Sequence, residues 1–191
     1  MKLLTSTLLI LAAPLSFAEW TLSPDSSVKF LSTKNTNITE VHEFTQVSGS
    51  VSDQGSAKIA IDLSSVETGI EIRNERMQSM LFNVSDYATA TVSANLPDTM
   101  MLALKNGETA TSVLPLTLEI HGEKKEVKAD ILATAAADGH VVVTTQSPIL
   151  INADDFKLAK GVEALREIAG LDRISTTVPV TFTLLFTETP E

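Results

Sequence analysis

The strongest constraint on what this chain can fold into is the strict two-residue period of its apolar side chains. From Thr89 to Leu96, Ala90, Val92, Ala94 and Leu96 alternate with Thr89, Thr91, Ser93 and Asn95. Leu114, Leu116, Leu118 and Ile120 then alternate with Thr117, Glu119 and His121. After a turn at Gly122-Glu123, Val127, Ala129 and Ile131 alternate with Lys128 and Asp130. The same period marks Val28 and Phe30, then Ile59, Ile61 and Leu63, and finally Val180, Phe182, Leu184 and Phe186. Successive side chains of a strand point to opposite faces, so each run offers one face to a core and one to water. That is the pattern of antiparallel sheets.

Between these runs the chain is punctuated rather than linked. Residues 27–34 read as a first strand and Val41 to Val51 as a second. The turn Asp53-Gln54-Gly55 leads on to Ile59, so residues 41–63 read as a hairpin. A short strand is expected at Met100 to Leu104, before the Asn106-Gly107 turn, and others at 141–145, 149–151 and 178–186. Two segments break the period. After the turn formers Ser64, Ser65, Thr68 and Gly69, a short helix is expected with Ile70, Met77, Met80 and Leu81 on one side. Glu71, Arg73, Glu75 and Arg76 crowd its other side. The second helix should run from Asp155 to Ala169, capped by Asp154 or Asp155 and closed by Gly170. About eight strands, nearly all alternating, must bury their edges. A closed barrel does so, and on the pattern alone a sandwich remains the alternative.

The first eighteen residues stand apart. Lys2 is followed by the apolar run Leu3 to Leu15, and Ser16-Phe17-Ala18 offers small residues at the positions a signal peptidase requires. A cleavable signal peptide over 1–18, export to the periplasm and a soluble domain over 19–191 are the expectation. The 191-residue chain carries a formal charge of −10, and losing Lys2 makes it one unit more acidic. Such a chain is a poor match for nucleic acid, and no stable membrane insertion is expected after cleavage. There is no cysteine. Disulfides, thiolate metal sites, a cysteine nucleophile and a lipid-modified cysteine are therefore excluded.

Catalytic motifs are missing. His42, His121 and His140 lack metal-ligand spacing and read as exposed or hydrogen-bonded side chains. No Gly-x-Ser-x-Gly elbow occurs, and the Gly49 to Gly55 segment is not a phosphate loop. Asp154-Asp155 reads as a helix cap rather than an acid–base pair. Neither an enzyme nor a metal site is expected.

Four blocks carry a family resemblance in one order along the chain. SVETGIEIRNERMQSMLF, ending at Phe82, resembles the signature of the YceI-like family. WTLSPDSSVKF and VHEFTQVSGSV resemble its first two strands, and LPLTLEIHGEKKEV its leucine-threonine…glycine hairpin. The likeness spans nearly everything after residue 18. It departs at Ala88 and Val92, where the family usually has proline and phenylalanine. The resemblance implies a lipocalin-like β-barrel of about eight strands with two short helical insertions, and a polyisoprenoid ligand such as a prenyl quinone or prenyl phosphate.

Alternation then nominates the lumen. Phe30, Ile59, Ile61 and Leu63 face it from the first half of the chain, followed by Val92 and Ala94. Leu116, Leu118, Ala129, Ile131 and Phe182 complete the set. Several of the inward positions are alanine, which leaves room, and an apolar lumen gains about 0.8 kcal/mol for each CH₂ a ligand buries. Arg73 and Arg76 are candidates for contact with an anionic head group, since guanidinium binds phosphate bidentately. Their plainer reading is a solvated ion-pair network with Glu71 and Glu75. No cofactor is expected beyond the bound lipid. The expected partners are a hydrophobic small molecule and, at most, a second copy in a homodimer. The alternative function is a periplasmic stress-response or interaction protein whose barrel is filled.

Overall fold

The computed structural model describes residues 18–136 and 139–188. The expected signal segment, residues 1–17, lies outside the described residues. The first part of the chain forms β1 (Ala18–Leu22), β2 (Ser27–Lys34), β3 (Ile38–Phe44), β4 (Val47–Ser52), β5 (Ser56–Asp62) and the short β6 (Val66–Glu67). The second part forms β7 (Thr89–Asn95), β8 (Thr109–Ile120), β9 (Glu123–Ala135), β10 (His140–Thr145), β11 (Ile149–Asn152) and β12 (Thr177–Glu188). Every pairing is antiparallel, and β1-β4-β5-β7-β8-β9-β10-β12 close into an eight-stranded ring. Closure is made by β1, which sets Trp20 opposite Val51 of β4 and opposite Glu188 of β12.

The sheet extends beyond the ring because the chain bends at two places where its ladder is interrupted. The C-terminal half of β12 closes the ring, while its N-terminal half pairs with β2 (Val28↔Phe182) and β11 (Ile149↔Val180). Between β1 and β2, Pro24 has no N–H to donate. Ser26 bridges the gap, its buried hydroxyl donating to the Leu185 carbonyl at 3.4 Å and accepting from the Leu185 amide at 3.0 Å. The second bend corrects the sequence reading, for Val41 to Val51 is two strands rather than one. At Thr45-Gln46 the ladder turns aside: the Gln46 amide donates to Ser65 Oγ at 3.0 Å, and the Gln46 carbonyl accepts from Asp62. β3 therefore pairs with β2, and β4 with β1 and β5.

The helices also differ from expectation. A third one, α2 (Asp98–Lys105), replaces the strand expected at Met100 to Leu104. Met100, Met101 and Leu104 are its buried residues, a helical i, i+1, i+4 spacing that overrides the apparent alternation of Met100, Leu102 and Leu104. The first insertion, α1 (Glu71–Arg76), continues as wider π-type turns over Met77–Phe82. Bonding from i to i+5 stacks residues five apart. Met77 and Phe82 are thus buried together at 6% and 7% exposure, whereas Ile70 and Met80 are exposed. The last helix, α3 (Ala159–Ile168), is shorter than expected. Before it, Ala153–Phe156 forms a 3₁₀ turn capped by Asn152, not by Asp154 or Asp155, and Lys157 adopts a left-handed conformation that ends the turn. Phe156, 1% exposed, pins that turn into the core.

The helices sit at opposite ends of the ring. α2 packs on β8 and β9 beside the turn at Gly55, where a Cβ would lie 2.9 Å from the Leu96 carbonyl. At the other end α3 crosses the π turns so closely that a Cβ on Gly161 would lie 2.7 Å from Leu81 Cα. Only glycine permits that approach.

Candidate functional site

Inside the ring is a cavity of about 250 Å³, lined by 36 residues that are all apolar. A water molecule needs on the order of 10–15 Å³, so this is no packing defect, and a wall without polar partners does not hold ordered water. The strands supply the sides. Met100 and Leu104 of α2 line one end, and Leu81, Phe82, Leu158 and Val162 line the other.

The residues nominated from alternation come together here. Phe30, Ile59, Ile61, Leu63, Val92 and Ala94 all reach the cavity wall, as do Leu116, Leu118, Ile131 and Phe182. Ala129 faces inward but lies at 0% exposure inside the packed wall and does not reach the cavity. Ladder registers explain the convergence, since Ile59 pairs with Val92, and Val92 with Leu118. Sequence reasoning passed over Met100 and Leu104, because α2 was read as a strand. It also passed over Leu158 and Val162, whose i, i+4 spacing on α3 was the available signal.

Neither arginine reaches the cavity wall. Arg73 is half-buried and its partner is Glu40 of β3, with Nη1 donating to Glu40 Oε2 at 2.8 Å, rather than Glu71 or Glu75. Its Nη2 donates to the Thr68 carbonyl at 2.5 Å. The same Glu40 oxygen accepts from Lys34 Nζ at 2.7 Å. That hydrogen bond, aided by the charges of Arg73 and Lys34, holds the Glu40 carboxyl below the ordinary carboxylate range against a partial desolvation penalty. The Arg76 side chain makes no ion pair among the described residues. Asn74 Oδ1 fixes the start of α1 by accepting from the Thr68 amide at 2.9 Å and hydroxyl at 2.6 Å.

His42 departs from the expectation of an exposed or hydrogen-bonded side chain. It is 4% exposed, meets Phe30 edge-on with centroids 5.4 Å apart, and its Nδ1 has no hydrogen-bond partner. Burial, reinforced by the Arg73 charge, pushes its pKa below the ordinary 6.5, so the ring is neutral. His121 packs against Tyr87 with ring centroids 4.1 Å apart and planes tilted by 42°, and Glu123 near it pairs with Lys157, tying the β8–β9 hairpin tip to the segments beside both helical insertions. Among the described residues no three acidic or histidine side chains come together as a metal site, and no helix is long and apolar enough to cross a membrane.

Comparison with known proteins agrees with this architecture. A solved polyisoprenoid binding domain from Saccharophagus degradans, implicated in plant cell wall breakdown, superposes with a TM-score of 0.86 at 36% identity, covering 91% of this chain and 100% of its own. BcnA of Burkholderia cenocepacia shares the fold at 20% identity and a TM-score of 0.65, over 86% of this chain and 98% of its own. A Campylobacter jejuni YCEI protein does so at 14% identity and a TM-score of 0.53, over the full length of both chains. No curated protein matches the sequence. The YceI-like domain profile matches residues 20–186, and the chain belongs to the YceI-like family.

Proposed function

We propose that this protein is an exported, periplasmic binding protein that carries a long-chain hydrophobic ligand, a polyisoprenoid such as a prenyl quinone or prenyl phosphate, in its barrel. The observation that supports this best is a cavity walled only by apolar side chains, in a ring whose other inward positions are tightly packed. A filled barrel would place side chains there instead, since protein interiors pack to crystal density. Burying ten methylene-sized groups offers on the order of 8 kcal/mol before the costs of association. The relative from Saccharophagus degradans is described as polyisoprenoid binding, which supports the same ligand class.

Purifying the protein without detergent and extracting it with organic solvent tests the reading by mass spectrometry. A prenyl lipid near one equivalent per chain is expected. A protein that yields no apolar compound, and takes up none when offered prenyl alcohols, would return the chain to the stress-response or interaction role without a specific ligand.

A further inference from the structure

The inward side chains of β5 and β7 form a ladder that runs down the barrel from α2. Beside that helix the Leu96 amide donates to the Gly55 carbonyl at 2.9 Å. The inward pairs that follow are Ala57↔Ala94, Ile59↔Val92 and Ile61↔Ala90. The step nearest α2 is thus two alanines, and both line the cavity. The same level continues round the ring, for Ala57 pairs with Val51 and Val51 with Trp20. On the other side, Ala133 of β9 lines the cavity and pairs with Ala110 near the start of β8, the strand that follows α2. Small side chains from three strands leave room at this level.

One helix closes that room. Met100 and Leu104, one turn apart on α2, line the cavity at 3% and 6% exposure. Met101 does not line it; its Cγ lies at the turn, 3.3 Å from the place of a Cβ on Gly55. Met100 is the longer of the two stoppers, and its unbranched thioether suits an irregular gap. Trp20, Val51 and Ala133, at the same level, are buried likewise. At the opposite cover, the wall residues Leu81 and Val162 are only half-buried. A polar head pressed against the α2 end would lose its water and meet no polar wall residue, which is costly. The tip of a hydrocarbon tail carries no such cost.

We propose that Met100, backed by Leu104, is the stop that sets how much of a ligand's tail the barrel takes in. The tip of the tail lies in the alanine-walled room at the level of Trp20, and the head points toward the α3 end. The inference rests on the carrier reading and names the length of chain it selects. A cavity of about 150 Å³ takes a six-carbon ring, so 250 Å³ takes on the order of ten carbons, or two isoprene units. Each methylene that enters multiplies affinity about fourfold, and carbons left outside add little.

Prenol, geraniol, farnesol and geranylgeraniol, with one to four isoprene units, test the stop. Wild-type affinity should climb steeply from prenol to geraniol and change by less than about tenfold beyond it. Met100→Ala opens further room at the closed end, so farnesol should gain about tenfold while geraniol stays within about twofold. Trp20 is the chain's single tryptophan and gives a readout on the wild type. Bromine quenches indole emission on contact, so 10-bromodecan-1-ol should quench Trp20 and 2-bromodecan-1-ol should not. Quenching by the second as strong as by the first, or by neither while both bind, would overturn the placement of the tip. A climb that continues to geranylgeraniol, or a Met100→Ala protein with the wild-type length profile, would overturn the stop. Should Met100→Ala not fold, the wild-type length profile and quenching decide. If the alcohols bind with no length limit, the stop alone fails. If none of them binds, the carrier reading fails with it.

Discussion

The two ends of the barrel are closed by chemically different devices. At one end α2 presses the apolar side chains of Met100, Met101 and Leu104 onto the ring beside the Gly55 turn. At the other, π turns and α3 meet backbone to backbone at Gly161, and beside them lie a shared carboxylate, two cations and a buried neutral histidine. An apolar plug is the less costly way to close a barrel, because it leaves no polar group to be satisfied. The polar and charged groups named here make that second end the more costly of the two to close. The same contrast exists on a smaller scale within the wall. Ala94 borders the cavity, while Ala129, equally apolar and equally inward, is sealed at 0% exposure.

That pair of alanines supplies the largest expected effect. Ala129→Trp must force an indole into a packed wall, and overpacking of this kind costs on the order of 1–3 kcal/mol or more. Ala94→Trp has the cavity to enter, so its thermal melt should stay near that of the wild type while uptake of a prenyl probe falls. Equal melting losses at both sites would show that the cavity is not available space, and would remove the main support for the carrier reading.

The helical ends give the next effect. Gly161→Ala places a methyl within 2.7 Å of the Met80 carbonyl and Leu81 Cα, both backbone atoms that cannot swing aside. A loss of about 1–3 kcal/mol in denaturant unfolding is expected. Gly55→Ala, at the plugged end, meets the Leu96 carbonyl at 2.9 Å with φ of +77°, and its strain should cost on the order of 1 kcal/mol. The two substitutions should differ in their effect on the ligand. Gly161→Ala pushes α3 off the cavity wall at Leu81 and Val162, so it should also impair ligand retention. If Gly55→Ala impairs retention as much, the ends are not functionally distinct.

How far these features were legible depended on which force sets each one. The antiparallel strands and ten of the cavity-facing residues were readable from alternation, because a strand with one buried face must repeat every two residues, whereas closure into a ring was implied by the family resemblance. α2 was not. Met100, Leu102 and Leu104 satisfy a strand period while Met100, Met101 and Leu104 satisfy a helical one, so the segment's period alone does not separate the two. The bend at Thr45-Gln46 has no local turn chemistry at all; it is imposed by bonds to Asp62 and Ser65, residues distant in sequence. Likewise, the pairing of Arg73 with Glu40 spans 33 residues, whereas sequence spacing exposes only neighbours on one helix. His42 was misplaced for a simpler reason: alternation in β3 carries polar residues to the inside, where the usual sorting of side chains expects none.

The smallest effect distinguishes the ends by pH. His42 keeps a pKa below the ordinary 6.5 in the folded protein, for burial and the Arg73 charge both oppose its protonation, while Glu40 acts weakly the other way. Unfolding returns the ring to 6.5, so the unfolded chain binds a proton that the folded one refuses. Stability linked to His42 is therefore complete above pH 6.5 and erodes as pH falls from there toward the lowered folded value. Glu40 acts in a separate window. Its folded pKa lies below 4.5, so its contribution is complete above pH 4.5 and is lost as pH falls through that lowered value. Because Glu40 is about a third exposed, solvent screening keeps that second contribution small. Melting curves from pH 7.5 to 5 should thus fall more steeply for the wild type than for His42→Phe, and Glu40→Gln should remove the further loss in more acid solution while lowering the His42 pKa further. Parallel wild-type and His42→Phe curves would mean that His42 takes up its proton within the fold, and the buried neutral ring would no longer set the two ends apart.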